Sequence, residues 1–342
     1  MIPSRSRPAK RDEVERFHIS DYVSRVEELS HLGYGALDYG DTPAYPGVFD
    51  ASAAVVGAAL EGLERVMSGN VYRTFQPIGG LHHARRETGA GFCVFNDCGV
   101  VIDTLREHYG IQRVAYVDID VHHGDGLYYP YEHDPEVFVA DIHEDGRFLY
   151  PGTGDANEQG KGDAHGTKLN IPLQPGAGDA IFMREWERVA AFLDGFKPEF
   201  IVFQCGADSL KGDPLAHLQY TPAAHAHAAR GLIEIANRHH AATGDSRQII
   251  GMAMKTHRDE RQRWRPAERL TPGPLRPGNR GAQVDAVDRV SAVLPELDVD
   301  AVVVVVVPDP LGDIGYRAVE VERGEDELGL PRLVVQVPLR LA

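Results

Sequence analysis

The sequence predicts a doubly wound α/β fold, a mainly parallel sheet with helices on both faces. Two observations predict it. Helix-period and strand-type apolar segments alternate along residues 12–238, and such alternation favours parallel pairing through right-handed crossovers. Two strongly apolar runs, Val114-Ala115-Tyr116-Val117 and Phe200-Ile201-Val202-Phe203, each empty into a glycine-containing turn that carries ionisable side chains. Ligand sites of open α/β folds lie at that carboxyl edge of the sheet.

The elements follow in order. Apolar residues at helical spacing predict helices over residues 12–30 and 51–68. A helix at 97–109 precedes a strand at 113–120, ended by Gly124 and Gly126. Residues 136–142 read as the next strand, and Asn170-Ile171-Pro172-Leu173 as another. A helix over 180–193, a strand over 199–205 and a helix over 222–238 complete the alternation, and Ile249-Ile250-Gly251-Met252-Ala253-Met254 is strand-like. Residues 258–280, rich in Arg, Pro and Gly without an apolar period, are expected to form a loop or a disordered linker. The valine run 302–307 suits a strand and is far too short to span a bilayer. The expected organisation is a catalytic domain at 1–240 and a divergent region, partly disordered, at 241–342.

Composition narrows the classes of partner. The chain has 342 residues, enough for one large core or two domains, and a formal net charge of -16. That balance argues against generic nucleic-acid binding and suits a cationic, lysine-bearing partner. Cys93, Cys98 and Cys205 lie in apolar segments and are expected as reduced thiols, which points to a cytoplasmic protein. Met1–Arg7 shows no apolar stretch of the kind that a signal peptide needs.

The chemistry concentrates in Asp118-Ile119-Asp120-Val121-His122-His123-Gly124-Asp125-Gly126. In an extended strand alternate side chains share a face, so Asp118, Asp120 and His122 are expected to point the same way. Asp120 and His122 offer one oxygen and one nitrogen ligand. Catalytic zinc sites take three protein ligands at ~2.0–2.2 Å and keep one position open. Asp208, after the strand Phe200–Gln204, is the best candidate for the third, although an Asp in that place can also cap a helix. The pair His82-His83 follows Gly79-Gly80. By itself such a pair can be general bases, metal ligands or surface residues, with surface residues the default. The unused carboxylates Asp118 and Asp125 favour the first reading, because a carboxylate behind each ring would fix its tautomer and raise its basicity.

These blocks, together with Gly91-Phe92-Cys93, Tyr150-Pro151-Gly152-Thr153-Gly154-Asp155 and Gly206-Ala207-Asp208, resemble in order the zinc-dependent histone deacetylase superfamily. The Gly-Gly-x-His-His form is similar to the class I branch and its bacterial acetoin-utilisation relatives. The resemblance covers about residues 7–238. It implies an arginase/deacetylase-like fold, with zinc on Asp120, His122 and Asp208. It also implies His83 as general base and acid, and His82 as an electrostatic partner, backed by Asp125 and Asp118 respectively. Gly91, Phe92 and Tyr150 would line a narrow tunnel for an acetyl-lysine stem, and Asp41 would hold the substrate backbone at the rim. A potassium ion near Asp118, Asp120 and His122 is implied as well. The Asp-Asp-His set is hard enough to accept ferrous iron in place of zinc.

The sequence departs from the family pattern in two places. A first strand and a His-Pro loop, which the resemblance places before Arg7, have no counterpart here. No Gly-Gly-Gly-Tyr run occurs, and Tyr316 is the only later tyrosine that follows a glycine. Three functions therefore stay open: a deacetylase acting on lysine side chains of proteins, a relative that binds metal and acetyl-lysine without turnover, and a deacetylase of acetylpolyamines or other small acetamides. No nucleic-acid or membrane partner is expected.

Overall fold

The computed structural model describes residues 6–69 and 71–243, and beyond these the backbone of four short strands. The elements in chain order are α1 (Arg11–Val14), α2 (Ser20–Leu32), α3 (Val48–Met67), β1 (Arg73–Gln76), α4 (Asp97–Tyr109), β2 (Val114–Asp118), α5 (Asp125–Tyr128), β3 (Val137–Glu144), β4 (Lys168–Leu173), α6 (Asp179–Phe196), β5 (Phe200–Gln204), α7 (Pro222–Thr243), β6 (Gln248–Met252), β7 (Val302–Val303), β8 (Glu320–Glu325) and β9 (Pro331–Gln336). The first seven strands form one sheet in the order β4-β3-β2-β5-β6-β1-β7, and every pairing in it is parallel. β8 and β9 pair antiparallel with each other.

Strand alternation divides the core between the two faces of the sheet. Ala115 and Val117 of β2, Phe138, Ala140 and Ile142 of β3, and Ile201 and Phe203 of β5 pack with Phe182, Trp186 and Leu193 of α6 and Leu232 of α7. Val114 and Tyr116, Val137 and Val139, and Phe200 and Val202 pack on the other side with Val56 and Leu63 of α3 and Ile102 and Leu105 of α4. Burial on both faces is what turns these strands into nearly continuous apolar runs. The doubly wound α/β architecture read from the sequence is thus present. Among the described residues no helix is long and apolar enough to cross a membrane.

Three elements differ from the sequence expectation. The helix expected over 12–30 is two helices, because residues between them turn His18 into the core, where its Nε2 accepts the Asn96 N–H at 2.8 Å. β1 was not foreseen. β2 ends at Asp118, so Asp120 and His122 do not continue the strand's alternation. Asp118 Oδ1 accepts the Asp120 N–H at 2.9 Å, and Asp120 Oδ1 accepts the His122 N–H at 2.9 Å. These two side chain-to-backbone turns bend the chain out of the sheet. The linker expected at 258–280 and Tyr316 lie outside the described residues.

Candidate active site

The tandem histidines hang from the turn that follows β1. Gly80 takes φ 80, a conformation natural to glycine. The N–H groups of Gly80 and Leu81 donate to the Asp97 carboxylate at 2.9 and 2.8 Å, and the Gly80 carbonyl accepts from Gln204 Nε2 at 3.0 Å. A Cβ at Gly79 would stand 2.4 Å from Asp97 Oδ2, so the approach of that carboxylate requires glycine there. Burial pushes Asp97 up to about 6, with the Leu81 and Gly80 amides pulling the other way.

His82 and His83 are both buried at 1% exposure. His82 Nδ1 donates to Asp118 Oδ2 at 2.7 Å, and His83 Nδ1 donates to Asp125 Oδ1 at 2.7 Å. Their Nε2 atoms meet at 3.2 Å. Asp118 Oδ2 also accepts the Tyr116 hydroxyl at 2.5 Å, and Asp125 Oδ2 accepts Arg85 Nη2 at 2.8 Å. A Cβ on Gly126 would come 2.3 Å from the His83 carbonyl, so the chain behind Asp125 packs backbone to backbone against the histidines. Burial opposes a charge on His82, but the Asp118 and Asp120 carboxylates outweigh it and hold the ring well above the ordinary histidine range. Burial pushes Asp118 up to about 7, partly offset by His82.

Asp120, His122 and Asp208 converge beside this pair. One ligand atom from each lies within 4.8 Å of the others, and all three residues are buried. His122 Nδ1 is 3.0 Å from Asp120 Oδ1 and 3.2 Å from Asp208 Oδ2. Asp208 Oδ1 accepts the Val121 N–H at 3.1 Å, and Gln204 Nε2 donates to Asp120 Oδ2 at 3.0 Å. Gly206 provides the room, since a Cβ there would lie 2.1 Å from Asp120 Oδ2. Burial pushes Asp208 up to about 6, with Asp120 adding to the shift. His122 is lifted to about 9, because its bonds to Asp120 and Asp208 overcome the burial penalty. Two buried carboxylates and one imidazole focused on one point suit a divalent cation, whose charge would replace the protons otherwise drawn in. The Asp118 carboxylate is engaged by His82, Tyr116 and the Asp120 N–H.

Phe92 and Tyr150 are half-exposed next to the buried histidines. The Tyr150 ring meets His83 edge-on at 5.0 Å between centroids. A Cβ on Gly91 would stand 2.6 Å from His83 Cδ2 and 2.9 Å from Tyr150 Cε1, so this backbone touches both rings. Asp41 is exposed, within reach of the Thr42 hydroxyl, which in turn accepts the Phe92 N–H. All eleven residues singled out in the sequence therefore lie in one neighbourhood, linked by contacts. Five supporting residues escaped the sequence reading: Thr42, Arg85, Asp97, Tyr116 and Gln204. Tyr116 could have been found, since strand alternation sets it on the Asp118 face. Gln204, polar at the end of an apolar strand, was a weaker signal. The three buried cysteines, Cys93, Cys98 and Cys205, are free thiols.

Residues 1–244 match the family model described as the histone deacetylase domain. The chain is 37% identical over 226 residues to the acetoin utilization protein AcuC of Bacillus subtilis (strain 168), covering 63% of this chain and 57% of that protein. It is 35% identical over 222 residues to histone deacetylase 8 of Xenopus tropicalis, covering 63% of this chain and 60% of that one. The match thus spans little more than half the length of either relative. The crystal structure of the HDA15 HD domain superposes with a TM-score of 0.66 at 27% identity, covering 75% of this chain and 71% of that chain.

Proposed function

The chain belongs to the histone deacetylase domain family, and on that premise we propose that it is a metal-dependent amide hydrolase that removes acetyl groups from lysine side chains. The observation that carries this reading is the juxtaposition of two carboxylate-backed histidines, Nε2 to Nε2 at 3.2 Å, with the buried Asp120-His122-Asp208 group. When bound, a divalent cation held by those three side chains supplies Lewis-acid polarisation of the amide carbonyl and of water. Zinc suits the donor set best, and ferrous iron is compatible with it. A potassium ion near Asp118 belongs to the same reading.

His83 takes a proton from attacking water at Nε2 and returns it to the departing lysine amine. Asp125 holds the ring so that Nδ1 keeps its own proton and Nε2 presents the lone pair. His82, held by Asp118, contributes positive potential at the developing oxyanion. Phe92 and Tyr150 flank the aliphatic stem, and Asp41 accepts hydrogen bonds from the substrate at the rim. The net negative charge of the chain favours approach of a cationic, lysine-rich substrate.

One observation favours a second reading. The sequence holds no Gly-Gly-Gly-Tyr run to donate to the oxyanion, and losing one such donor costs about 10²–10³ in rate. A protein of this composition would bind metal and an acylated amine with little turnover. Hydrolysis of an acetyl-lysine peptide by the zinc-loaded protein, with His83→Ala as the blank, separates the two. Turnover that vanishes in the variant supports the hydrolase, and none above the blank supports the binder. An acetylpolyamine run in parallel distinguishes a protein substrate from a small acetamide.

A further inference from the structure

The rim segment around Asp41 is stitched to the wall segment around Phe92. The Leu37 N–H donates to the Thr42 carbonyl at 2.9 Å, and the Leu37 carbonyl accepts from the Gly89 N–H at 3.1 Å and the Thr88 hydroxyl at 3.0 Å. Thr42 sits at the centre and is only 2% exposed. Its N–H donates to Asp38 Oδ1 at 3.0 Å, an oxygen that also accepts from the N–H groups of Gly40 and Asp41 at 2.7 and 3.1 Å. The backbone of this loop is therefore closed around the Asp38 carboxylate.

The Thr42 hydroxyl bridges the wall and the rim, with the Asp38 carboxylate also within its reach. It accepts the Phe92 N–H at 3.1 Å and donates to Asp41 Oδ1 at 3.1 Å. One hydroxyl proton and two lone pairs allow both bonds at once. Phe92 has φ 65, the left-handed region that a bulky residue occupies only when its surroundings enforce it. The Phe92 amide is thus held by a side chain that also aims the carboxylate of Asp41.

We propose that Thr42 is a positioning residue that couples the rim carboxylate of Asp41 to the wall residue Phe92, so that an acylated-amine stem meets both in one fixed relation. The proposal deepens the reading of this site as a deacetylase and rests on it. Thr42 touches no reacting atom. Its effect belongs to substrate fit, in KM, and leaves the proton-transfer machinery of His82 and His83 untouched.

The test compares the unaltered chain with Thr42→Val, which keeps the shape and loses the hydroxyl, and Thr42→Ser, which keeps the hydroxyl. Two readouts are taken: steady-state kinetics of the zinc-loaded proteins on an acetyl-lysine peptide, and amide hydrogen exchange at Phe92 in the metal-free proteins. Thr42→Val is expected to raise KM about five- to tenfold with kcat near the wild-type value, and to speed exchange at Phe92. Thr42→Ser is expected to restore both. A Thr42→Val protein with wild-type KM, or with unchanged exchange at Phe92, overturns the proposal, as does an equal loss in both variants. If the wild-type chain shows no turnover, the deacetylase reading fails, and exchange at Phe92 still decides whether Thr42 holds the wall.

Discussion

His82 and His83 face each other across 3.2 Å between Nε2 atoms, while each Nδ1 turns away to its own carboxylate. With both Nδ1 atoms donating, a single proton fits between the two rings, so the pair is unsymmetrical in use. His83→Ala is expected to lower kcat about 10²–10⁴-fold, and His82→Ala by a smaller factor. Turnover of an acetyl-lysine peptide at matched zinc content measures both. Equal losses would mean that the proton transfer belongs to the pair and not to His83.

Asp120 and Asp208 place two buried carboxylates around one imidazole. Without a cation their mutual repulsion destabilises the fold, and a ligand that binds only the folded state raises stability. Asp208→Asn is expected to raise the melting temperature of the metal-free protein and to abolish the rise that zinc produces in the wild type. Calorimetry with and without zinc reads both effects. A zinc-dependent rise that survives in the variant would locate the metal elsewhere.

His18 connects the α1–α2 break to the cap of α4 through the Asn96 N–H. Burial lowers its pKa from 6.5 to about 3. Above pH 6.5 both folded and unfolded chains are neutral at this position, and its contribution to stability is complete. Below that, the unfolded chain takes a proton that the folded chain refuses, and stability falls by about 1.4 kcal/mol per pH unit until the folded pKa is reached. The stability gap between the wild type and His18→Phe is therefore expected to shrink by about 2 kcal/mol between pH 7 and pH 5. Urea unfolding at the two pH values would sink the idea if the gap stayed constant.

Gly126 has no room for a side chain, because a Cβ would press on the His83 carbonyl at 2.3 Å. That carbonyl and the Ala84 carbonyl, 2.6 Å from the same Cβ, are backbone, so neither can swing aside. Gly126→Ala is expected to cost about 1–3 kcal/mol of stability and to reduce turnover more than its drop in melting temperature accounts for, since the shift reaches His83. Retention of full activity at reduced stability would show that the histidines accommodate the displacement.

What the sequence made legible was governed by short-range periodicity. β2 and β5 are buried on both faces and read as apolar runs ended by one polar residue, β3 opens with such a run, and the glycines after β2 mark where the site lies. β1 was hidden because Arg73-Thr74-Phe75-Gln76 is only four residues long and mixes charge with apolar character. The alternation argument for Asp118, Asp120 and His122 reached too far, since side chain-to-backbone turns take over after Asp118. Asp97 stands in the first turn of α4, where an acidic residue draws no notice, yet its carboxylate holds the N–H groups of Gly80 and Leu81. Such partners lie far apart in sequence, and no local pattern records them.

Gln204 ends β5 with one amide nitrogen that donates both to the Gly80 carbonyl and to Asp120 Oδ2. The anchor of the histidine turn and a candidate metal ligand therefore share a single donor. The amide NH2 offers one hydrogen to each oxygen, so its position answers to both, and a shift of Asp120 toward a cation would move the donor that Gly80 relies on. Ion affinity and histidine alignment become two faces of one linked equilibrium. A change in the Gly79-Gly80 turn would then surface as an altered ion dissociation constant, at a residue that never touches the ion.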